Sequence, residues 1–408
     1  MAVKLATPSN TAIGPKKILV VGSGFAGFWA ALAAKRFARD RVDVTLLSPE
    51  PVLQIRPRLY EANPETLGVD LLPLLDMVAV NFEQGEAAGL DPDTRIVTLA
   101  DGGQLSYDRL IVATGSRMRR PPVPGAETAH SVDTQAEAIT LDDRLREIAQ
   151  GLAEPVIAVI GAGFTGIELV LELRDRLLAH GGAEAAERAR IILIDRADVV
   201  GPELGPGPRP VIEAALKEAR VELQLGAQIS GLARDRVTFA DGSSLAVDAV
   251  ALATGMAAAP FTPQIPGERD RLGRILVDTA LRAPEAPEIF VAGDAAAADT
   301  GDGHRALQSC QHAGQLGRVA GENAARDLLG EASQLQYLTC LDLGRSGAVV
   351  TKGWDRRIER TGAEGKALKR FINTRLIYPP ADGTVESLFA GSNAALIESF
   401  DLLAVEAA

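Results

Sequence analysis

The chain of 408 residues has two cysteines, Cys310 and Cys340. That excludes a disulfide scaffold and fits a reducing compartment. Positive charge is short as well: 42 Lys and Arg stand against 54 Asp and Glu, a net charge of −12. General affinity for nucleic acid needs clustered cations to neutralise phosphates, so that class is excluded. No apolar run approaches the ~18 residues of a membrane-spanning helix. The first 17 residues hold no apolar core of the secretory kind. The cytoplasm is therefore the expected compartment, and residues 1–15 are expected to be a disordered lead. Histidine is scarce, four in all, which agrees with a chemistry that needs little general acid–base machinery, and no metal site is expected. What remains is 47% hydrophobic and rich in Ala, Gly and Val, which suits α/β layering. The length allows two or three domains with full cores.

Against those absences stands one stretch, residues 17–32, KILVVGSGFAGFWAAL. Its apolar run at 18–21 is too short for a helix that packs alone and reads as a buried parallel strand. It breaks into Gly22-Ser23-Gly24-Phe25-Ala26-Gly27 and continues as an alanine-rich helical pattern. Strand, GxGxxG and helix together are the dinucleotide-binding arrangement. Gly22 permits the tight turn, Gly24 lets backbone N–H groups approach a pyrophosphate, and Gly27 lets the helix pack close. The helix N-terminus then turns its unpaired N–H groups and positive dipole end towards the phosphates. A lone motif of this kind also marks ordinary strand–helix turns. Here it recurs: residues 156–173, VIAVIGAGFTGIELVLEL, place Gly161, Gly163 and Gly166 139 residues after Gly22, Gly24 and Gly27. Asp101 to Gly115 and Asp241 to Gly255 share a 14-residue spacing at an offset of 140, each ending in Ala-Thr-Gly. Two matches in one register mark a duplication, so the chain is expected to bind two dinucleotides.

In the first unit a strand at 42–47 leads to Ser48, where such sites place an Asp or Glu about 20 residues after the glycines. Serine still hydrogen-bonds a ribose, without charge. In the second unit the strand at 191–194 ends in Asp195, 34 residues after Gly161, with 179–190 read as an insertion. Asp195 should accept ribose hydroxyls and repel a 2′-phosphate, favouring NAD over NADP, while Arg196 works the other way. Residues 117–125, RMRRPPVPG, read as a linker with solvated arginines. After residues 260–266 the chain returns to the first unit, and EIFVAGD at 288–294 reads as a short strand ending in Gly293-Asp294. A helical pattern at 304–329 carries Gln308, Cys310, Gln311, His312 and Gln315. Beyond 334 a third region shows strand-like segments at 337–343 and 348–352.

The ordered set GSGFAG, ATG, GAGFTGIE, ATG and GD resembles the pyridine-nucleotide-dependent FAD oxidoreductases of the two-dinucleotide-binding-domain type, over roughly residues 16–330. The resemblance implies an α/β fold of two Rossmann-like domains, the second inserted in the first, with a C-terminal α+β region. Residues 16–120 and 260–332 would form the FAD domain, 121–259 the NAD(H) domain and 333–408 the C-terminal region. It implies Gly22, Gly24, Phe25, Ala26 and Gly27 at the FAD pyrophosphate, with Ser48, Ala87, Ala113, Thr114 and Gly115 along the cofactor. Gly293 and Asp294 would meet its ribityl chain. Gly161, Gly163, Phe164, Thr165, Gly166, Asp195 and Gly255 would hold NADH. Within that family the chain looks most like the type II NADH dehydrogenases (NADH:quinone oxidoreductases). Glu168 falls where their glutamate lies near nicotinamide and flavin. CQHAGQ at 310–315 resembles their AQxAxQ segment beside isoalloxazine and quinone, with Gln311 and Gln315 matching and Cys310 replacing Ala. RPRLYE at 56–61 loosely resembles their FxPLLY segment. The implied reaction is ping-pong: NADH delivers hydride to the flavin, NAD leaves, and two electrons pass to a quinone-type acceptor. Glu168, Gln311 and Gln315 are its implied catalytic residues, Gln311 also touching FAD. Two rival readings stay open. One is the same reductase half feeding a ferredoxin-like protein or a small soluble substrate. The other is an NAD-responsive flavoprotein whose main role is binding.

Cysteine spacing separates the relatives. A disulfide reductase needs CxxxxC soon after the first glycine motif, and none exists between Gly27 and Leu90. A sulfide:quinone reductase needs two cysteines flanking the flavin. Cys310 suits that position, but Cys340 lies in the third region, so both read as buried structural thiols. His312 reads as a satisfied, partly buried histidine, with proton donation as the alternative. Glu168 is either a first-turn acid favoured by the helix dipole or a functional group. Residues 352–375 carry eight basic and three acidic residues, a solvated face or a contact for anionic lipid. The stripe Leu396, Phe400 and Leu403 suits a core-packing or dimer-facing helix. Peripheral contact with the cytoplasmic membrane face and a homodimer are both kept as expectations.

Overall fold

The computed structural model describes residues 15–151, 154–301, 303–330, 338–352 and 356–393. The lead up to residue 14 and the stripe at 396–403 lie outside the described residues. The architecture is α/β. In the first sheet Lys16–Val21 pairs in parallel with Val42–Ser48 on one side and Arg109–Val112 on the other. Asn81–Gln84 and Ala286–Val291 extend the sheet in parallel, and Arg282–Ala283 closes one edge in the antiparallel sense. Residues 18–21 are buried throughout. A parallel strand covered on both faces reads as a continuous apolar run rather than an alternating one. Helix α1 (Phe25–Ala38) follows directly.

The second sheet has five parallel strands in the order His130–Ser131, Ala249–Leu252, Val156–Ile160, Arg190–Ile194 and Val221–Gln224. Helix α2 (Phe164–Arg188) follows its glycine turn, and Gly182, at φ 77°, interrupts it inside the stretch read as an insertion. The insertion is therefore a prolonged, broken helix. Each half also carries a three-stranded antiparallel meander: Ala87–Asp91, Ile96–Leu99 and Gln104–Ser106, then Ile229–Ala233, Arg236–Phe239 and Ser244–Ala246. Ser116–Met118 and Met256–Ala258 pair antiparallel. The chain thus leaves the first half and returns to it along neighbouring strands, and the segment read as a linker begins as one of them.

Helix α3 (Cys310–Leu329) crosses α1 at close range. A Cβ added at Gly317 or Gly321 would stand 2.8 Å from the Cα of Ala26 or Ala30. The helical pattern expected from residue 304 begins only at Cys310. Ser309 is the N-cap and its Oγ accepts from the His312 N–H at 3.4 Å, so Gln308 precedes the helix. The third region forms an antiparallel sheet of Leu338–Asp342, Ala348–Lys352 and Arg357–Arg360, followed by α4 (Gly362–Phe371) and α5 (Val385–Gly391).

Candidate active site

The two glycine turns have the same construction. Gly22 and Gly161 sit at φ 108° and 112°, a region that L side chains rarely adopt. Their N–H groups bond Leu47 O and Ile194 O, each at 2.8 Å, which ties turn to neighbouring strand. A side chain at Gly27 or Gly166 would collide with the carbonyl of Gly22 or Gly161. Gly24 and Gly163 are N-caps with no side-chain cap, and nothing lies within 4 Å of where their Cβ would be. Both helices therefore offer uncapped N–H groups and a dipole end to an anion.

Around the first turn, Ser48 Oγ meets Ser23 Oγ at 2.8 Å, and Ser23 Oγ donates to Val52 O at 2.9 Å. Ser48 is thus joined to the turn itself. Ala113 is buried beside Gly27, and the Thr114 hydroxyl is buried with no partner among the described residues. Gly115 follows at φ 71°. Ala87 opens the first meander opposite Leu99. A Cβ at Gly293 would stand 2.8 Å from that of Ala26 and 3.4 Å from that of Ala313. Its absence brings Asp294 alongside the start of α1. Asp294 accepts from Ser116 Oγ at 2.5 Å, and its main chain O accepts from Gln308 Nε2 at 3.1 Å. Burial pushes its carboxyl pKa up, with Ser116 and Arg56 pulling against it.

Around the second turn, Asp195 spends both carboxylate oxygens on the backbone. One accepts from Ala162 N at 2.6 Å, the other from Ala197 N at 2.7 Å. It holds the turn in shape from the end of the strand Arg190–Ile194. Phe164 and Thr165 open α2. Gly255 lies at φ 86° after Thr254, whose hydroxyl donates to Arg119 O at 2.6 Å.

Glu168 is buried, and its Oε1 accepts from Asp342 N at 2.9 Å and Lys369 Nζ at 3.0 Å. Burial pushes the carboxyl up, and Lys369 opposes that shift. Burial works to lower the Lys369 ammonium, but the Glu168 carboxylate more than reverses it and the ammonium's pKa is raised. The basic stretch at 352–375 is therefore not simply a solvated or lipid-facing surface. Lys369 is turned inward, and Lys366 pairs with Asp342 at 2.6 Å. Sequence reasoning missed Lys369 and Asp342, because nothing local marks a residue whose partner lies 201 positions away. Cys340 is a second correction: its carbonyl accepts from Lys369 Nζ at 3.2 Å, so the third region does bring it to this site. Cys310 and Cys340 are free, and burial pushes their thiols up to about 11 and about 12. Both stay protonated at neutral pH, in keeping with unreactive thiols. His312 is buried with Nδ1 2.8 Å from Ser309 Oγ, a role in the helix cap. Gln311 and Gln315 share the first turns of α3, Gln315 buried and Gln311 half-buried.

Residues 16–317 match the pyridine nucleotide-disulphide oxidoreductase family. The chain belongs to that family. An NADH dehydrogenase-like protein of Mycobacterium tuberculosis is 40% identical over 390 residues, covering 92% of this chain and 98% of that protein. A type II NADH:quinone oxidoreductase of the same organism is 30% identical over 324 residues, 71% of this chain and 68% of that one. The sulfide:quinone oxidoreductase of Aquifex aeolicus superposes with a TM-score of 0.76 at 18% identity, covering 91% of this chain and 92% of its own, a likeness of fold. Membership implies FAD and a nicotinamide dinucleotide as cofactors. The residues present fit them: two uncapped helix starts over glycine turns suit two pyrophosphates, and the buried Thr114 hydroxyl beside the first has a hydrogen bond still to make.

Proposed function

We propose that the protein oxidises NADH through FAD and passes two electrons to a quinone-type acceptor in two alternating half-reactions. The observation that carries this reading concerns Cys310, the first residue of α3. Its buried thiol feels the charges of Lys369, Glu168 and Asp294 together. The first turn of α3 thereby comes under the electrostatic influence of both Asp294, which follows Gly293 beside Ala26, and Glu168, on the helix after the second glycine turn.

FAD supplies, when bound, the chemistry of accepting a hydride and releasing an electron pair. In this reading Gly22, Gly24, Phe25, Ala26 and Gly27 face its pyrophosphate, Ser48, Ala87, Ala113, Thr114 and Gly115 follow its length, and Gly293 and Asp294 meet its sugar-like chain. Gly161, Gly163, Phe164, Thr165, Gly166 and Gly255 cradle the nicotinamide dinucleotide. Asp195 favours NADH over NADPH by placing a carboxylate where a 2′-phosphate would sit. Residues 16–120 with 260–332 and residues 121–259 act as the two cofactor domains, and 333–408 as the C-terminal domain. Gln311 and Gln315 orient the acceptor, and Glu168 holds a proton beside it. A lipid-soluble quinone would be met by peripheral contact at the cytoplasmic membrane face. Among the described residues no helix is long and apolar enough to cross a membrane.

Gln311→Ala tests the assignment. Reoxidation of the reduced protein by quinone is expected to slow by roughly tenfold or more, as for loss of a positioned polar group, with flavin reduction by NADH unchanged. Slowing of the reductive half alone would remove Gln311 from the acceptor side.

A further inference from the structure

Transfer of a hydride from NADH to a quinone leaves a proton to be found. The balance is NADH + H⁺ + quinone → NAD⁺ + quinol, so one proton per turnover comes from water. Glu168 is buried, 9% exposed, and bonded to Lys369 and the Asp342 N–H. A carboxylate so enclosed needs a neighbour that reaches solvent.

That neighbour stands one turn along α2. Residues four apart share a helix face, and Glu172, unlike Glu168, is only half-buried. Tyr60 and Glu61 face it from the segment at 56–61, and Asp175 and Arg176 from its own helix. Asp342 and Lys366 face it from the C-terminal sheet and α4, with Arg345 between them in the chain. Each cation of this set already has a carboxylate: Arg176 has Asp142 at 2.7 Å, Lys366 has Asp342 at 2.6 Å and Arg345 has Asp175 at 2.5 Å. Glu61 is itself paired with Arg58 at 2.7 Å. Among the described residues the Glu172 side chain makes neither a hydrogen bond nor an ion pair. It is the carboxylate left over, one helical turn from Glu168 on the same face of α2.

Resting on the quinone reading above, we infer that Glu172 is the proton-exchange residue of this site, taking a proton from water and passing it one helical turn to Glu168. The proton leaves Glu168 for the acceptor, and no electron moves through either carboxyl. Burial, then the charges of Glu61 and Asp175, push the Glu172 carboxyl up to about 7, so it both gains and gives protons near neutrality.

The test uses the flavin-loaded protein and its Glu172→Gln variant. Infrared titration of the wild type is expected to show a protonated carboxyl lost as pH rises through about 7, a band absent from the variant. Quinone turnover of the wild type should fall over the same range. In the variant it should be roughly tenfold slower at about pH 6 and nearly flat with pH, the loss expected when a proton-transfer group is removed. Ferricyanide takes electrons without protons, so its reduction should be equal in both. A variant that keeps the quinone rate and its pH profile overturns the role of Glu172 alone. So does a wild type with no such titrating band. A wild type that reduces ferricyanide but no quinone overturns the acceptor reading, and this role with it.

Discussion

Glu168 and Lys369 are 201 residues apart in the chain and 3.0 Å apart in space. A buried carboxylate stripped of its cation costs about 3–5 kcal/mol, so Lys369→Met should lower stability by that order. The sign of its pH dependence follows from the direction of the Glu168 shift. Burial raises the folded-state pKa, so the folded chain holds this proton more firmly than the unfolded one. Stability from this group is full at low pH and falls as pH rises through the folded value. Without Lys369 the upward shift grows, and the loss should be smaller near pH 5 than near pH 8. Urea unfolding at both values checks this, and equal losses would mean that the pair is not ionic. Asp195 offers a second test. Its carboxylate holds Ala162 N and Ala197 N, and hydrogen bonds to a charged group contribute about 1.5–3 kcal/mol. Asp195→Ala should therefore weaken NADH roughly ten- to hundredfold in a fluorescence titration, and weaken NADPH less. Equal losses would confine Asp195 to shaping the turn.

Among the elements, the crossing of α1 and α3 is set by what is missing. Gly317 and Gly321 lie against the backbone of Ala26 and Ala30, and that crossing keeps Ala26 of the first glycine turn and Ala313 of α3 beside Gly293. Gly321→Leu would force the helices apart at a cost of about 1–3 kcal/mol or more. It should lower the melting temperature and release flavin on gel filtration; a variant that keeps both would show that the crossing can yield. The strand–turn–helix units are legible in the sequence because their requirements are local: Gly22 and Gly161 need positive φ, and Gly27 and Gly166 need to lack a Cβ. The start of α3 is less legible. Periodicity carries the pattern back to residue 304, and only the capping hydroxyl of Ser309 fixes the boundary.

For the molecule as a whole, duplication is the most legible property, since equal offsets of glycines, Asp-Gly turns and Ala-Thr-Gly segments survive without any knowledge of contacts. The α/β architecture follows from it. The role of the C-terminal region does not. Its lysines read as a charged surface, yet the strand at Leu338–Asp342 and α4 bring the Asp342 N–H and Lys369 onto a glutamate of the second unit. Such closure depends on which surfaces meet, and composition is blind to that. The same closure brings Lys369 onto Glu168 and within electrostatic reach of Cys310 at the start of α3, the arrangement from which the proposed electron transfer is argued. Anaerobic stopped-flow tests it most directly: the purified protein is mixed with NADH, then with a soluble short-chain quinone. Rapid loss of the flavin's visible absorbance, followed by its rapid return with quinone, is the expected result. A preparation without bound flavin, a flavin that NADH does not bleach, or a bleached flavin that quinone does not restore would contradict it.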